Sequence, residues 1–237
     1  PYVSRPMADL FPDDLPQAAA PDTLREDAPL ADRLRPASLD EVIGQDHLTG
    51  PEGAIGRMVA AGRLSSMILW GPPGTGKTTI ARLLADSVGM RFESVSAVFS
   101  GVADLKKAFA AADKAAQAGQ RTLLFVDEIH RFNKAQQDAL LPAVEDGLVT
   151  LIGATTENPW YEVNPALVSR MRVLILEGLA EDDVARLLAR AAEDPRGLGG
   201  RVRVPEEAVA AIVARAGGDA RAALNLLEAA TAGLADG

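Results

Sequence analysis

The chain has 237 residues, of which 48% are hydrophobic and 24% charged, enough for one large domain or a core with a small second unit. It contains no cysteine, which excludes disulfides, thiolate catalysis and cysteine-based zinc sites and fits a reducing cytoplasm. No apolar run approaches the roughly 18 residues of a membrane helix, and the net charge of −9 argues against a broad basic surface that coats nucleic acid, though not against a local basic patch.

Residues 1–29 are rich in Pro, Ala and Asp and carry no sustained period, which predicts a flexible arm. Met7 is a candidate native start, and no signal-peptide pattern precedes it. From Leu30 strand-like and helix-like runs alternate. Ser66–Trp70 is a short apolar run that ends at a Gly-Pro-Pro turn, as a buried strand would. Thr78–Val88 places Ile80, Leu83, Leu84 and Val88 on one helical face. Phe92–Val98 reads as a second strand, and Val102–Ala118 as a helix with Leu105, Phe109 and Ala112 inside. Thr122–Val126 is a third strand. Lys134–Val144 is a helix whose last turn Pro142 is expected to end or kink. Val149–Ala154 and Arg172–Leu176 complete five strands. The alternation predicts an α/β fold, a parallel sheet covered by helices on both faces. After Glu177 the strands stop. Ala180–Ala192, Pro205–Arg215 and Asp219–Leu234 read as helices, with a Pro- and Gly-containing loop over Asp194–Arg203. The expected division is an arm over 1–29, an α/β core over 30–177 and a small all-helical lid over 178–237.

Gly71-Pro72-Pro73-Gly74-Thr75-Gly76-Lys77-Thr78 is a phosphate-binding pattern between strand and helix. Glycines let backbone N–H groups turn onto phosphate oxygens, and the helix start adds free N–H groups and its positive dipole end. Lys77 would reach the β- and γ-phosphates of ATP, Thr78 would ligate Mg2+, and Thr79 follows in the first turn. The third strand ends in Asp127-Glu128. Asp127 can hold Mg2+ and Glu128 can polarise the attacking water. An acidic pair at a strand end is commonplace when read alone; its place on a later strand of the same unit favours catalysis. The fourth strand ends Gly153-Ala154-Thr155-Thr156-Glu157-Asn158, a polar tip able to bond the γ-phosphate or the lytic water. Arg170 precedes the fifth strand. Arg221 follows Gly217-Gly218-Asp219-Ala220 in the first turn of a helix that Asp219 should cap.

These segments, in this order, resemble the AAA+ ATPases, P-loop NTPases with a five-stranded parallel sheet between helices and a helical lid. The resemblance implies that Gly71–Thr78 is Walker A, Asp127-Glu128 Walker B, Thr156 sensor 1 and Arg221 sensor 2, with Arg170 a finger acting on a neighbouring subunit's ATP. Arg35-Pro36 and Ile43-Gly44-Gln45 resemble the segment that packs beside adenine in the clamp-loader branch. The run His130-Arg131-Phe132-Asn133-Lys134-Ala135-Gln136-Gln137-Asp138-Ala139-Leu140-Leu141, with Ser66–Trp70 and Ile152–Pro159, is more specific. It resembles the replication-associated recombination ATPases and their Werner-helicase-interacting relatives, from about Leu30 to Glu228. The implied function is a Mg2+-dependent, DNA-dependent ATPase that converts ATP to ADP at stalled or gapped replication forks. The implied partners are single-stranded, gapped or forked DNA, single-strand DNA-binding protein and copies of itself, in the cytoplasm at the nucleoid and not at a membrane. Members continue past the lid into a helical region that makes a tetramer, so the resemblance implies that a chain ending at Gly237 is a portion of a longer protein. Trp160 stands where that family pattern leads one to expect a small polar residue.

Rival readings are a clamp-loader subunit, whose bacterial motors usually carry a four-cysteine zinc module absent here, and a branch-migration motor, which lacks the His130–Leu141 run. A protein unfoldase would thread peptide with an aromatic–hydrophobic–Gly loop. Val98-Phe99-Ser100-Gly101 is placed for that, but Ser100 is polar. A nucleotide-binding scaffold is disfavoured by the complete set of Lys77, Asp127, Glu128, Thr156, Arg170 and Arg221. His47 and His130 lack metal-ligand spacing and are read as structural or surface residues.

Overall fold

A computed structural model describes residues 28–234. The arm expected over residues 1–29 falls, apart from its last two residues, outside the described residues. The strands are β1 (Met67–Trp70), β2 (Arg91–Ser96), β3 (Thr122–Asp127), β4 (Val149–Thr155) and β5 (Arg172–Ile175). All pair in parallel, in the order β2-β3-β4-β1-β5. β2 stops at Ser96 rather than Val98; residues 97–99 form a turn in which Ala97 stays buried while Val98 and Phe99 are exposed.

The helices are α1 (Leu30–Arg33), α2 (Asp46–Thr49), α3 (Ala54–Ala60), α4 (Lys77–Ser87), α5 (Val102–Gln117), α6 (Lys134–Glu145), α7 (Pro159–Glu162), α8 (Pro165–Val168), α9 (Glu181–Glu193), α10 (Glu206–Ala216) and α11 (Ala220–Thr231). None of the described helices is long and apolar enough to cross a membrane. The strand alternation sorts side chains into two cores. Leu69, Phe125 and Ile152 face Ile55, Met58, Ile80 and Leu84 on one side of the sheet. Ile68, Leu124, Val126 and Leu151 face Leu105, Ala112 and Leu140 on the other. A sheet buried on both faces needs apolar residues at successive positions, so its strands read as continuous apolar runs.

Pro142 lies inside α6 and does not end it: the helix runs on to Glu145, and Asp146 N donates to Pro142 O at 2.9 Å. A proline within the last turn forfeits a single helical hydrogen bond, with few bonds beyond it to disrupt. Asn133 caps the other end of α6, its side chain accepting from Gln136 N while Gln136 Oε1 accepts from Asn133 N.

A third core joins α9, α10 and α11 through Val184, Leu188, Ile212 and Leu227. Leu30 and Leu34 belong to this core although the sequence grouped them with the sheet. Leu30 N donates to Glu228 Oε1 of α11 at 2.9 Å. The N-terminal segment is therefore clamped against the helical unit, and a charged network adds to the clamp. Glu41 pairs with Arg190 of α9 and with Arg196, and Arg196 Nη2 lies 2.8 Å from Asp194 Oδ2.

The Arg196 hydrogen bond holds the Asp194 carboxyl down at about 2, from the usual 3.8, against partial burial, which pushes it up. A carboxyl lowered in the folded state stabilises above its unfolded pKa and loses that contribution as pH falls toward the folded value. Thermal unfolding of the wild type and Asp194→Asn is therefore expected to differ at neutral pH. The difference should shrink as pH falls from about 4 toward 2; a gap independent of pH would refute the linkage.

Candidate active site

β1 ends in the middle of the sheet, with Trp70 opposite Thr155 of β4 and Ile175 of β5. The following loop thus leaves the carboxyl end of the sheet where its order switches, the usual place for ligands in such folds. Gly71 N donates to Thr155 O at 3.2 Å, tying the start of the loop to the tip of β4. Gly74 has φ +70°, and a Cβ there would overlap the Asp219 carboxylate. Ala220 N donates to Gly74 O at 3.3 Å, so only glycine lets the start of α11 sit this close. Asp219 caps α11 as the sequence indicated, accepting from Ala222 N at 2.9 Å.

Lys77 opens α4 with its side chain buried, and its Nζ donates to Gly71 O at 2.8 Å and Pro72 O at 2.6 Å. Burial pushes this ammonium below the usual lysine range, opposed by the charges of Glu128, Asp127 and Asp219. Thr75 Oγ1 donates to Pro72 O at 2.9 Å. The loop is thus shaped by its own hydrogen bonds, with the amides at the start of α4 left without helical partners.

Pro73–Thr79, Asp127, Glu128, Thr156 and Arg221 line one cleft. Of the basic side chains there, Arg35 pairs with Asp32 and Arg190 with Glu41. Lys77 and Arg221 have no carboxylate partner among the described residues, which suits an anionic ligand. No cluster of His, Asp and Glu able to cage a metal occurs among the described residues. The Thr78 hydroxyl and the Asp127 carboxylate nevertheless offer hard oxygen donors on the same cleft. That sparse set fits Mg2+ brought in on phosphates, because Mg2+ keeps several waters and takes few protein ligands.

Glu128 directly follows β3 and has φ +53°, the only non-glycine with positive φ among the described residues. Such a conformation costs on the order of 1–3 kcal/mol and persists only where the surroundings enforce it. Here Ile129 enforces it. Its side chain is fully buried against Gly153 of β4, where a Cβ would come within 2.9 Å of the Ile129 methyl. Arg131 N closes the turn by donating to Glu128 O at 2.7 Å. His130 is folded back under this turn, its side chain 8% exposed, with Nδ1 3.3 Å from Glu128 Oε2 and 2.9 Å from Thr155 Oγ1. The sequence predicts a structural or surface role for His130, and no local pattern connects it with Glu128. The available signal was Gly153: a glycine in a buried strand marks a close approach, here by the residue after Glu128.

Arg35, Pro36 and Ile43 line the same cleft, as do Leu187 and Leu224. Gly44 and Gln45 do not line it. Gln45 is fully buried, its Nε2 donating to Glu177 O at 2.7 Å and its Oε1 accepting from Glu177 N at 3.2 Å. The side chain pins the end of the segment after β5 rather than contacting the cleft. Glu41 and Arg190 line the cleft and were not anticipated.

Arg170 lies outside the cleft. Its guanidinium meets Glu145 at 2.6 Å and donates to Ala166 O at 2.8 Å. Trp160 packs edge-on against Trp70, with ring centroids 5.6 Å apart, and remains half-exposed beside the exposed Tyr161. His47 is also away from the cleft, with Nε2 3.1 Å from Ile175 O.

The model of the ATPase family associated with various cellular activities (AAA) matches residues 67–179. Replication-associated recombination protein A of Escherichia coli (strain K12) is 52% identical over 202 residues, covering 84% of this chain and 45% of that protein. ATPase WRNIP1 of Dictyostelium discoideum is 43% identical over 204 residues, covering 86% of this chain and 23% of that protein. Among solved structures, the Holliday junction branch migration motor RuvB of Thermotoga maritima is similar with a TM-score of 0.64 and 32% identity, over 81% of this chain and 63% of that one. A variant of the same motor gives a TM-score of 0.69 at 28% identity, over 86% and 68%. The chain thus spans less than half the length of the curated relatives it matches, at 45% and 23%.

Proposed function

The chain belongs to the AAA ATPases, and from that premise we propose that it binds ATP with Mg2+ in the cleft beside α4 and hydrolyses it to ADP and phosphate. The observation that carries this reading is the convergence of Lys77, Thr78, Asp127, Glu128, Thr156 and Arg221 on one cleft from four separate stretches of sequence. In this account Lys77 and the loop amides hold the phosphates. Thr78 and Asp127 hold Mg2+, which when bound neutralises phosphate charge. Glu128 takes the proton of the attacking water, and Thr156 and Arg221 steady the γ-phosphate. Arg35, Pro36 and Ile43 border the base. The α/β unit up to Glu177 forms the floor of the site and α9–α11 its lid.

We further propose that the whole protein is a DNA-dependent ATPase of replication-fork rescue and recombination. The similarity to replication-associated recombination protein A supports this, and the likeness to a branch migration motor points to the same class of substrate. Single-stranded, gapped or forked DNA, single-strand DNA-binding protein and further copies of the chain are the proposed partners, and the cytoplasm at the nucleoid the proposed location. ATP turnover measured with and without each DNA tests it. Stimulation by at least one is expected; none with any would remove the DNA assignment.

Assembly matters because Arg170 does not reach its own cleft. It is proposed to act on a neighbour's ATP after leaving Glu145. Arg170→Ala is expected to bind ATP normally and to lose turnover in the assembled protein by on the order of 10³-fold or more. Equal turnover by mutant and wild type would remove Arg170 from the mechanism.

The peptide-threading alternative rests on Phe99, which is 90% exposed after β2. The loop is anchored, however, by Gln136 Nε2 donating to Ser100 O at 3.0 Å. Stimulation of turnover by an unfolded protein, but not by DNA, would favour that alternative.

A further inference from the structure

We propose that His130 is a positioning residue for hydrolysis: its imidazole, set between Glu128 and Thr155, aims Glu128 and couples it to the tip of β4. The inference rests on Glu128 being the base, as proposed above, and goes further by naming what holds that base in place.

Thr155 holds the imidazole from the β4 side. Thr155 is fully buried, so its hydroxyl has no water to turn to. A hydroxyl has one proton to give and two acceptor positions. Thr155 Oγ1 donates to Glu157 O at 3.2 Å and accepts from Glu157 N at 3.0 Å. His130 Nδ1 lies 2.9 Å from the same hydroxyl, a hydrogen bond whose donor is set by the histidine tautomer. The same nitrogen lies 3.3 Å from Glu128 Oε2, a close contact between imidazole and carboxylate. One carboxylate oxygen thus rests against the imidazole, on a side chain that lines the cleft.

The anchor is rigid at its far end. Trp70 pairs with Thr155 across β1 and β4, and Gly71 N donates to Thr155 O. Thr156, the next residue, lines the cleft. A shift of the β4 tip, or of the phosphate loop bonded to it, is therefore passed to Glu128 through His130. His130 does not line the cleft, so its effect should fall on turnover rather than on nucleotide affinity.

The test is steady-state ATP turnover and ATP affinity in the assembled protein, for wild type, Glu128→Gln, His130→Ala, His130→Asn and Thr155→Val. His130→Ala is expected to lower kcat by ~10- to 100-fold, the scale of a misplaced catalytic group, with ATP affinity within about twofold. His130→Asn keeps a polar hydrogen-bonding group near the place of Nδ1 and should recover most of the loss. Thr155→Val should lower kcat similarly, and adding it to His130→Ala should cost little more, because both break one link. A purely structural histidine would instead lower the unfolding temperature while leaving kcat intact below it. If Glu128→Gln is inactive but both His130→Ala and Thr155→Val turn over like wild type, the positioning role is overturned and the ATPase reading stands. If Glu128→Gln turns over like wild type, the base assignment fails and this inference fails with it. Should His130→Ala fold poorly, His130→Asn and Thr155→Val decide the question alone.

Discussion

Replacing Lys77 with alanine is expected to abolish tight ATP binding. The side chain is buried in the loop, and its Nζ donates to the Gly71 and Pro72 carbonyls at 2.8 and 2.6 Å. Burial disfavours the ammonium and the neighbouring carboxylates favour it, so the charge there is balanced by acids that phosphates would have to approach. Without Lys77, the triphosphate would meet Asp127, Glu128 and Asp219 with no cation from the loop itself. Truncating one partner of a buried charged pair costs about 2–5 kcal/mol, and about 3 kcal/mol is roughly a hundredfold in affinity. Calorimetric titration with Mg·ATP is expected to show at least that loss, while thermal unfolding without nucleotide changes little. Unchanged affinity would mean that phosphates are held elsewhere.

Glu128→Gln is expected to separate binding from chemistry. The amide keeps the size of the side chain and can still meet His130, but it is not a base. Loss of a general base typically lowers the rate by about 10²- to 10⁴-fold. The variant should therefore bind ATP as tightly as wild type and retain it intact, read by chromatography of the bound nucleotide after prolonged incubation with Mg2+. The backbone makes this position unusual: Glu128 alone among the described non-glycine residues has positive φ. The packing of Ile129 against Gly153 holds it there, and strain kept by such packing is common where a side chain must be aimed. Recovery of ADP at the wild-type rate would exclude Glu128 as the base.

The sheet was legible in the sequence because its strands are buried on both faces. Met67-Ile68-Leu69 is apolar throughout, which distinguishes a covered parallel sheet from one with a wet side. Which core each residue enters was not legible, since Ile68 and Leu69 go to opposite cores and the run is uniform. The gathering of Lys77, Asp127, Glu128 and Thr156 followed from a local rule, that strand tips at the carboxyl end share one side of the sheet. The residues that escaped depend on long-range placement. His130 acts through a residue 25 positions away and through a left-handed turn that the types Asp-Glu-Ile-His do not announce. Gln45 is used 132 positions away, on the backbone of Glu177, where a clamp-loader-like pattern suggested contact with the base. Leu30 reaches 198 positions along the chain to Glu228, so a boundary drawn by composition put it in the wrong core. Pro142, which the sequence predicts to end or kink α6, lies so near the helix end that it removes little.

The account depends most on the claim that the loop from Gly71 to Thr78 cradles a triphosphate facing Asp127 and Glu128. A crystal structure of the protein with Mg2+ and a non-hydrolysable ATP analogue tests it directly. The predicted result has Lys77 Nζ turned from the Gly71 and Pro72 carbonyls to phosphate oxygens, Mg2+ beside Thr78 and Asp127, and the γ-phosphate next to Glu128 and Thr156. Nucleotide bound at another surface, or bound here with its phosphates pointing away from Lys77, would contradict it.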